Sequence, residues 1–179
     1  CSGIGSITIP ESVQSIGDGA FEFCTSLKSI VLPDSVTYIG NSAFYGCDGL
    51  ESITLPKSDT TIGEAAFNEC TSLKTVEIPE GIYFEGNIFG WCTNLTAINV
   101  DENNSNYCSV DGVVFDKEMT TLIIYPSGRQ AEDYAVPTGV TTIRTNAFFV
   151  CEHIKSVTIP ETVQEIEFRA FWECGNLVS

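Results

Sequence analysis

The sequence is poor in positive charge. Eight Lys and Arg residues stand against 24 Asp and Glu residues in 179 residues, for a formal net charge of −16. Binding to nucleic-acid phosphates needs a basic footprint, so we expect no nucleic-acid partner. The same deficit disfavours adhesion to an anionic membrane surface. No apolar run approaches the ~18 residues of a membrane-spanning helix, so we also expect no membrane insertion in this segment.

The residue patterns of catalytic and metal sites are also missing. His153 is the only histidine, and its position two residues after Cys151 favours a solvated turn over a Ser/His/Asp or Cys/His catalytic group. No two cysteines have the C-x₂-C spacing of zinc sites. There is no glycine-rich phosphate loop. We therefore expect no enzyme activity, no cofactor and no metal.

One polar segment partly matches a calcium-binding loop. Asp101, Asn103 and Ser105 occupy the first ligand positions of such a loop. Asn106 and Gly112 stand where the loop requires its glycine and its bidentate glutamate. The alternative, which we favour, is a hydrogen-bonded polar turn.

A repeat of 23 residues dominates what is present. Hydrophobic residues make up 43% of the chain and charged residues 18%, which is sufficient to build a core. Repeats of this length indicate stacked units, because one unit cannot bury its own apolar face. The columns are Pro10, Pro33, Pro56, Pro79, Pro137 and Pro160; Phe21, Phe44, Phe67, Phe89, Phe148 and Phe171; and Cys1, Cys24, Cys47, Cys70, Cys92, Cys151 and Cys174.

Each unit reads as a short strand followed by a helical turn. In the unit around Pro33, alternation points Ile30 and Leu32 inward and Val31 outward. The following apolar spacing from Ile39 to Cys47 is that of a short helix or helical turn, which Asp18 and Asn41 are placed to cap. The sequence therefore predicts an α/β repeat solenoid with one parallel sheet opposite a helical side carrying the Phe column. The predicted strands are 7–9, 30–32, 53–55, 76–78, 98–100, 122–124, 134–136 and 157–159.

The repeat is interrupted between residues 101 and 136. Two strand-like runs, 112–115 and 121–124, flank a polar turn and predict a β-hairpin. The segment has no Ser/Gly-rich spacer, so we interpret it as an insertion within one solenoid spanning residues 1–179. Because the chain begins and ends inside a repeat, we also expect it to be part of a longer array.

The motif L-x-S-I-x-L-P-x-x-V-x-x-I-G-x-x-A-F-x-x-C, carried by residues 27–47, resembles the BspA-like leucine-rich repeats of bacterial and some protozoan surface proteins. The segment 107–126 resembles the interrupting hairpin of that family. The resemblance implies a leucine-rich-repeat solenoid in a secreted or surface-anchored protein, with a role in adhesion to host matrix proteins or other cells. It implies no catalytic residues. Departures stand at Asp59 and Glu85, assigned to apolar columns, and at Arg144 and Glu167, assigned to the Gly column.

Seven of the eight cysteines share one column, so they are expected side by side in adjacent rungs. Rungs lie ~4.7–4.9 Å apart, whereas disulfide-linked Cβ atoms prefer ~3.8 Å. We therefore favour buried free thiols, with some disulfide pairing or a metal as the alternatives. Cys108 lies off the column and is the candidate for exposure.

The outward strand positions form the candidate ligand-contact face, because solenoids commonly bind along an extended sheet surface. The alternative is that Ser and Thr merely suit a solvated sheet. The favoured function is macromolecular binding or adhesion without enzyme activity, and the second is a structural spacer that presents another domain. No pattern indicates an oligomeric state. The candidate face comprises Thr8, Val31, Thr54, Glu77, Asn99 and Thr158, and the aromatic residues that flank the Phe column are Phe23, Tyr45, Trp91, Phe149 and Trp172.

Overall fold

The computed structural model describes residues 3–179 and shows a β-solenoid. Cys1, expected in the cysteine column, lies outside the described residues. Each complete rung contributes two short strands. In chain order the strands are β1 (Ser15–Ile16), β2 (Ser29–Val31), β3 (Tyr38–Ile39), β4 (Ser52–Thr54), β5 (Thr60–Ile62), β6 (Thr75–Ile78), β7 (Ile82–Phe84), β8 (Ala97–Val100), β9 (Tyr107–Val110), β10 (Val113–Asp116), β11 (Thr121–Ile124), β12 (Asp133–Ala135), β13 (Thr142–Ile143), β14 (Ser156–Thr158) and β15 (Glu165–Ile166).

The first strand of each rung lies close to its predicted position. The parallel pairs β2–β4, β6–β8 and β12–β14 keep the repeat register, as in Ile30↔Ile53. Ile30 and Leu32 are buried while Val31 is 63% exposed, so the predicted alternation is confirmed. The strand predicted at 7–9 is wrong, since only Ser6 forms an isolated bridge, to Ser29. The first strands also do not form one continuous sheet, because their pairing is interrupted between β4 and β6 and by the hairpin after β8.

The predicted helical side is wrong. Within residues 3–179 there is no helix, and the run around Ile39 forms a second parallel sheet in the order β1–β3–β5–β7. The turn that follows places Ser42 and Gly46 at φ values of 52° and 66°. A right-handed helix needs consecutive residues near φ ≈ −63°, so two left-handed residues four positions apart prevent one from forming.

Asp18 and Asn41 connect rungs and do not cap a helix. The Asn41 amide donates to Asp18 Oδ1 at 2.8 Å, and the Glu64 amide donates to Asn41 Oδ1 at the same distance. Backbone bonds in this turn also run to the next rung, as from Phe44 N to Ala66 O at 2.8 Å. The turn is therefore stabilised by stacking on its neighbours, which a single rung cannot supply.

The Phe column is the centre of the core. Phe44, Phe67 and Phe148 are fully buried, and Phe89 is 3% exposed. The rings of Phe44 and Phe67 stack with centroids 5.3 Å apart. Phe21 and Phe171, near the two ends, are half-buried. The ladder predicted from the 23-residue spacing is thus confirmed.

The irregular segment folds as the predicted hairpin with an additional strand. β10 pairs antiparallel with β11, as predicted, and with β9, which was not predicted. Asn104 is fully buried at the base of this sheet. Its side-chain amide donates to the carbonyls of Pro79 and Ile82, and its Oδ1 accepts from the amides of Asn106 and Tyr107. One side chain thus joins the insertion to the regular rung before it.

The rung that contains β11 has a shortened outer turn. Leu122 pairs with Ile143 of the next rung. Tyr125 enters the Phe column three positions after Leu122, whereas Phe148 follows Ile143 by five. In this rung the turn between the second strand and the Phe column is therefore two residues shorter than in the next rung. The flanking turns, residues 85–91 and 144–149, face each other across this gap, which we call the notch.

Candidate ligand-binding surfaces

The first strands of the rungs, which form the pairs β2–β4, β6–β8 and β12–β14, are together called the first sheet. The predicted contact face follows the outer side of this sheet, and we call its six residues the strand row. All six side chains are exposed. Val31 stands beside Thr54 in one parallel pair and Glu77 beside Asn99 in another. Asn99 Nδ2 donates to Glu77 Oε1 at 2.8 Å, which orients both side chains. The strand row comprises Thr8, Val31, Thr54, Glu77, Asn99 and Thr158.

The hairpin divides the strand row. Gly112, in the turn between β9 and β10, accepts a hydrogen bond from Ile98 N at 3.0 Å. A Cβ atom at Gly112 would lie 2.6 Å from Cβ of Ala97, so only glycine permits this approach. Thr158 lies in the separate β12–β14 pair beside Ala135. The structure therefore places Thr158 apart from the other five members of the row.

Two shallow grooves border the strand row. One, of 400 Å³, is lined by Thr8 and Val31 among others. The second, of 380 Å³, is lined by Glu77 and Asp101, with Lys57 as its one basic residue. Along the edge of the same sheet, Lys28 and Glu51 form an exposed ion pair at 3.2 Å, which contributes little to stability. The strand row thus presents small polar side chains, bordered by the carboxylates of Glu77 and Asp101, to a partner.

Most of the described cysteine column is buried, and Cys174, near its end, is half-buried. Among the described residues the cysteines are unpaired, and Cys24, Cys47, Cys70, Cys92 and Cys151 are buried. Each inner thiol donates to the carbonyl of the aromatic residue one rung earlier, as Cys70 Sγ does to Phe44 O at 3.3 Å. Burial, reinforced by the neighbouring Cys70, raises the pKa of Cys47 to about 12. The Cys47 thiol is therefore a poor nucleophile. Cys108 is half-buried and donates to Asp116 O at 3.2 Å.

The other predicted polar positions are structural. His153 lies at an exposed bend. In the polar turn, the amide of Asn103 donates to Asp101 Oδ1 at 2.8 Å, which is the hydrogen-bonded turn we favoured. Within residues 3–179 no group of three or more His, Cys, Asp or Glu side chains is arranged to hold a metal ion.

The aromatic residues beside the Phe column form paired contacts along the turn edge. Phe23 meets Tyr45 edge-on with centroids 5.5 Å apart, and Trp91 meets Phe149 at the same distance. Tyr45 OH donates to the carboxylate of Glu69, and this bond, with burial, raises the pKa of Tyr45 to about 12. Four of the five edge aromatics thus pair with one another, while Trp172 packs against the guanidinium of Arg169 at 3.9 Å.

Sequence reasoning missed a groove on the second sheet that extends from the strand faces into the notch. It encloses 520 Å³, and its walls include Tyr38, Thr61, Tyr83 and Asn146. The signal was the pattern of β-branched and aromatic residues at 37–39, 60–62 and 82–84, which is typical of strands. Because these positions were interpreted as the buried stripe of a helix, Glu85 was assigned to the Ile column. In the structure Phe84, and not Glu85, pairs with Ile62.

Comparison with known proteins agrees with this architecture. A family model described as BspA type leucine rich repeat region matches residues 1–119 and 127–179 in six copies. No curated protein sequence gives a significant match. Neither the family nor the similar structures indicate an enzyme family.

The structure is similar to several solved bacterial repeat proteins. The crystal structure of the pneumococcal vaccine antigen PcpA aligns with a TM-score of 0.87 and 32% identity, over 93% of this chain and 42% of that chain. A leucine-rich repeat protein from Eubacterium ventriosum aligns with a TM-score of 0.75 and 20% identity, over 97% of this chain and 59% of that chain, which shows the fold alone. The leucine rich repeat protein TpLRR of T. pallidum aligns with a TM-score of 0.56 and 26% identity, over 96% of this chain and 66% of that chain.

The chain thus spans less than half of PcpA and about three-fifths of the E. ventriosum protein. The family match covers nearly all of its residues and carries the repeat, Phe and Cys columns described above. The chain therefore belongs to the BspA-type leucine-rich repeat family.

Proposed function

We propose that this chain is a non-enzymatic, extracellular or cell-surface repeat protein that binds other proteins through the strand row. The observation that carries the proposal is the uncovered outer face of the first sheet, where Val31 is 63% exposed between polar neighbours. Membership of a repeat family and similarity to a vaccine antigen support a surface setting. Among the described residues, no helix is long and apolar enough to cross a membrane.

Charge favours a neutral or basic partner patch. The chain carries a net charge of −16, and Glu77 and Asp101 line the groove beside the strand row. Opposite charge on the partner speeds association, and salt screens this effect. Binding through the strand row is therefore expected to have a faster association rate at low ionic strength.

The test is a binding assay against extracellular-matrix proteins such as fibronectin, laminin and collagen. Thr54→Arg and Glu77→Arg place a bulky cation in the centre of the strand row and are expected to reduce binding at least tenfold, a loss of about 1.4 kcal/mol or more. Glu22→Arg is the matched control, because it makes the same charge reversal on the exposed turn side. It is expected to leave affinity within about twofold, since Glu22 lies away from the strand row and surface substitutions outside an interface have small effects.

Two outcomes would contradict the strand-row assignment. Binding that survives both Arg variants, but is abolished by Trp91→Ala or Tyr45→Ala, would place the site on the aromatic turn edge. Loss of binding in Glu22→Arg equal to that in Glu77→Arg would indicate a general charge effect.

The second candidate function is a structural spacer that presents another domain of a longer protein. It is favoured by the burial of most residues of the shared repeat motif, the Phe column included, because these residues serve packing and not recognition. The similar region is also only 42% of the PcpA chain. Absence of binding to every matrix protein tested would favour the spacer.

A further inference from the structure

The shortened rung creates a surface that regular rungs do not have. Across the notch, Asn87 Nδ2 donates to Asn146 O at 3.0 Å. Arg144 and Glu85 form an ion pair at 3.5 Å. These contacts join the turns of two rungs that are not neighbours in the repeat, and they close one end of the 520 Å³ groove.

Two tyrosines stand along this groove. In the parallel register of the second sheet, Tyr38 is opposite Thr61 and Thr61 is opposite Tyr83. Tyr38 is 40% and Tyr83 45% exposed, although both line a concave surface. Two strand spacings separate them, roughly 9–10 Å. The groove thus presents two aromatic rings on one face with a small hydroxyl residue between them.

The remaining polar lining is mostly uncharged. Amide or hydroxyl groups come from Asn41, Thr61, Asn87, Thr145 and Asn146. Asn87 is held in place, because its Oδ1 accepts from Phe89 N at 2.9 Å while its Nδ2 bonds across the notch. Within residues 3–179, Oδ1 of Asn146 is one of three buried side-chain polar atoms that have no hydrogen-bond partner. A buried acceptor without a partner is costly, and this one lies beneath the wall of the groove, out of contact with solvent.

The charges present exclude some ligand classes. Glu64 and Glu85 line the groove, and Arg144, the nearby cation, is already paired with Glu85. An anionic ligand such as a phosphate or an acidic sugar is therefore repelled. Sites for lipids or other apolar molecules are lined mainly by hydrophobic side chains, whereas the only aliphatic side chain in the lining of this groove is the buried Ile62. A ligand rich in uncharged hydroxyl groups with apolar C–H faces fits both the aromatic rings and the amides.

We propose that this groove, lined by Tyr38, Tyr83 and the amides of the notch, binds a neutral oligosaccharide. The tyrosine rings stack against the C–H faces of the sugar rings, and the Thr61 hydroxyl and the Asn41 Nδ2 group bind the sugar hydroxyl groups, while Asn87 holds the groove wall in place. This site is separate from the strand row and does not depend on the protein-binding function proposed above.

The test uses NMR titration of the ¹⁵N-labelled chain with three neutral trisaccharides: cellotriose, maltotriose and chitotriose. At least one is expected to bind with a dissociation constant on the order of 1 mM. The largest amide shifts are expected at residues 61–64, 83–87 and 145–146. Tyr83→Ala is expected to weaken binding by about tenfold, while Tyr83→Phe, which keeps the ring, stays within about threefold.

Phe168→Ala is the control, because Phe168 is 69% exposed and lies outside the groove lining. It is expected to leave the affinity unchanged. The proposal is overturned if none of the three sugars shifts the groove amides, or if Tyr83→Ala binds as wild type does. Binding of pentalysine to the same amides in place of the sugars would also overturn it, since the groove would then recognise basic peptides.

Discussion

The regular rungs and the irregular segment 101–136 are held together by different kinds of contact. In the regular rungs one contact recurs at every step, as in the Cys47 and Cys70 thiols that donate to Phe21 O and Phe44 O. In the irregular segment, single polar residues such as Asn104 make contacts that have no copy elsewhere. The comparison shows that repetition spreads stability over many equivalent residues, whereas an insertion concentrates it in a few.

The largest expected effect is in the regular rungs. Phe44→Ala empties a fully buried position between two stacked rings and is expected to lower the free energy of unfolding by ~3–5 kcal/mol. Phe21→Ala, at a half-buried position near the end, should cost less because its surroundings are less complete. Urea denaturation checks both. A loss under ~1 kcal/mol for Phe44→Ala would show that the column is not core.

The next effect concerns the irregular segment. Asn104→Ala removes four hydrogen bonds and leaves buried amides and carbonyls without partners, at an expected cost of about 1–3 kcal/mol. Asn103→Ala changes an exposed neighbour and is expected to cost under about 1 kcal/mol. Equal effects of the two variants, measured by the same denaturation, would mean that Asn104 does not anchor the hairpin.

A third variant makes the irregular rung more like the regular ones. Tyr125 occupies the Phe column and stacks on Phe148 at 4.9 Å. Within residues 3–179 its buried hydroxyl is among the side-chain atoms without a hydrogen-bond partner. Tyr125→Phe is therefore expected to raise the free energy of unfolding by about 1 kcal/mol. Destabilisation of that size would reveal a hydrogen bond that the fold depends on.

The smallest expected effect depends on pH. Burial raises the pKa of Asp116, but hydrogen bonds from Thr120 and Thr121 outweigh it and hold that pKa below its ordinary value. A lowered folded-state pKa stabilises above the unfolded-state pKa of about 3.9, and this stabilisation is lost as pH falls through the folded value. Asp116→Asn should therefore cost stability at pH 7 and much less near pH 3. An equal cost at both pH values would contradict the ionised role of Asp116.

Sequence reasoning recovered what the repeat spacing encodes. The Phe column, the alternation of Ile30, Val31 and Leu32, and the hairpin strands at 113–116 and 121–124 follow from periodicity. The prediction of a helical side was wrong because apolar residues with helical spacing can also belong to a non-helical turn that stacks on the equivalent turn of the next rung. Ala65 and Glu69 adopt the left-handed conformation, at φ values of 54° and 60°. Residues other than glycine rarely do so, and no sequence pattern marks these two positions.

The sequence predicts the exposure of the strand row but not the presence of the notch groove, for a related reason. The strand row follows from alternation, so each of its residues is exposed as expected. The notch groove depends on a turn that is two residues shorter, which brings Asn87 to Asn146 over 59 positions. Such a contact lies outside the 23-residue register, so no repeat pattern predicts it. Glu85 and Arg144, noted as departures from the motif, meet there as an ion pair.

The central claim is that each rung carries two parallel strands and a stacked turn in place of a helix, because both proposed surfaces depend on it. NMR cross-strand nuclear Overhauser effects test this most directly. Rungs with two strands predict contacts between the backbones of Ile39 and Ile62, which are partners in the second sheet, and positive φ values at Ser42 and Gly46. A continuous series of helical contacts between residues three apart over 41–47, without the Ile39–Ile62 contact, would contradict it.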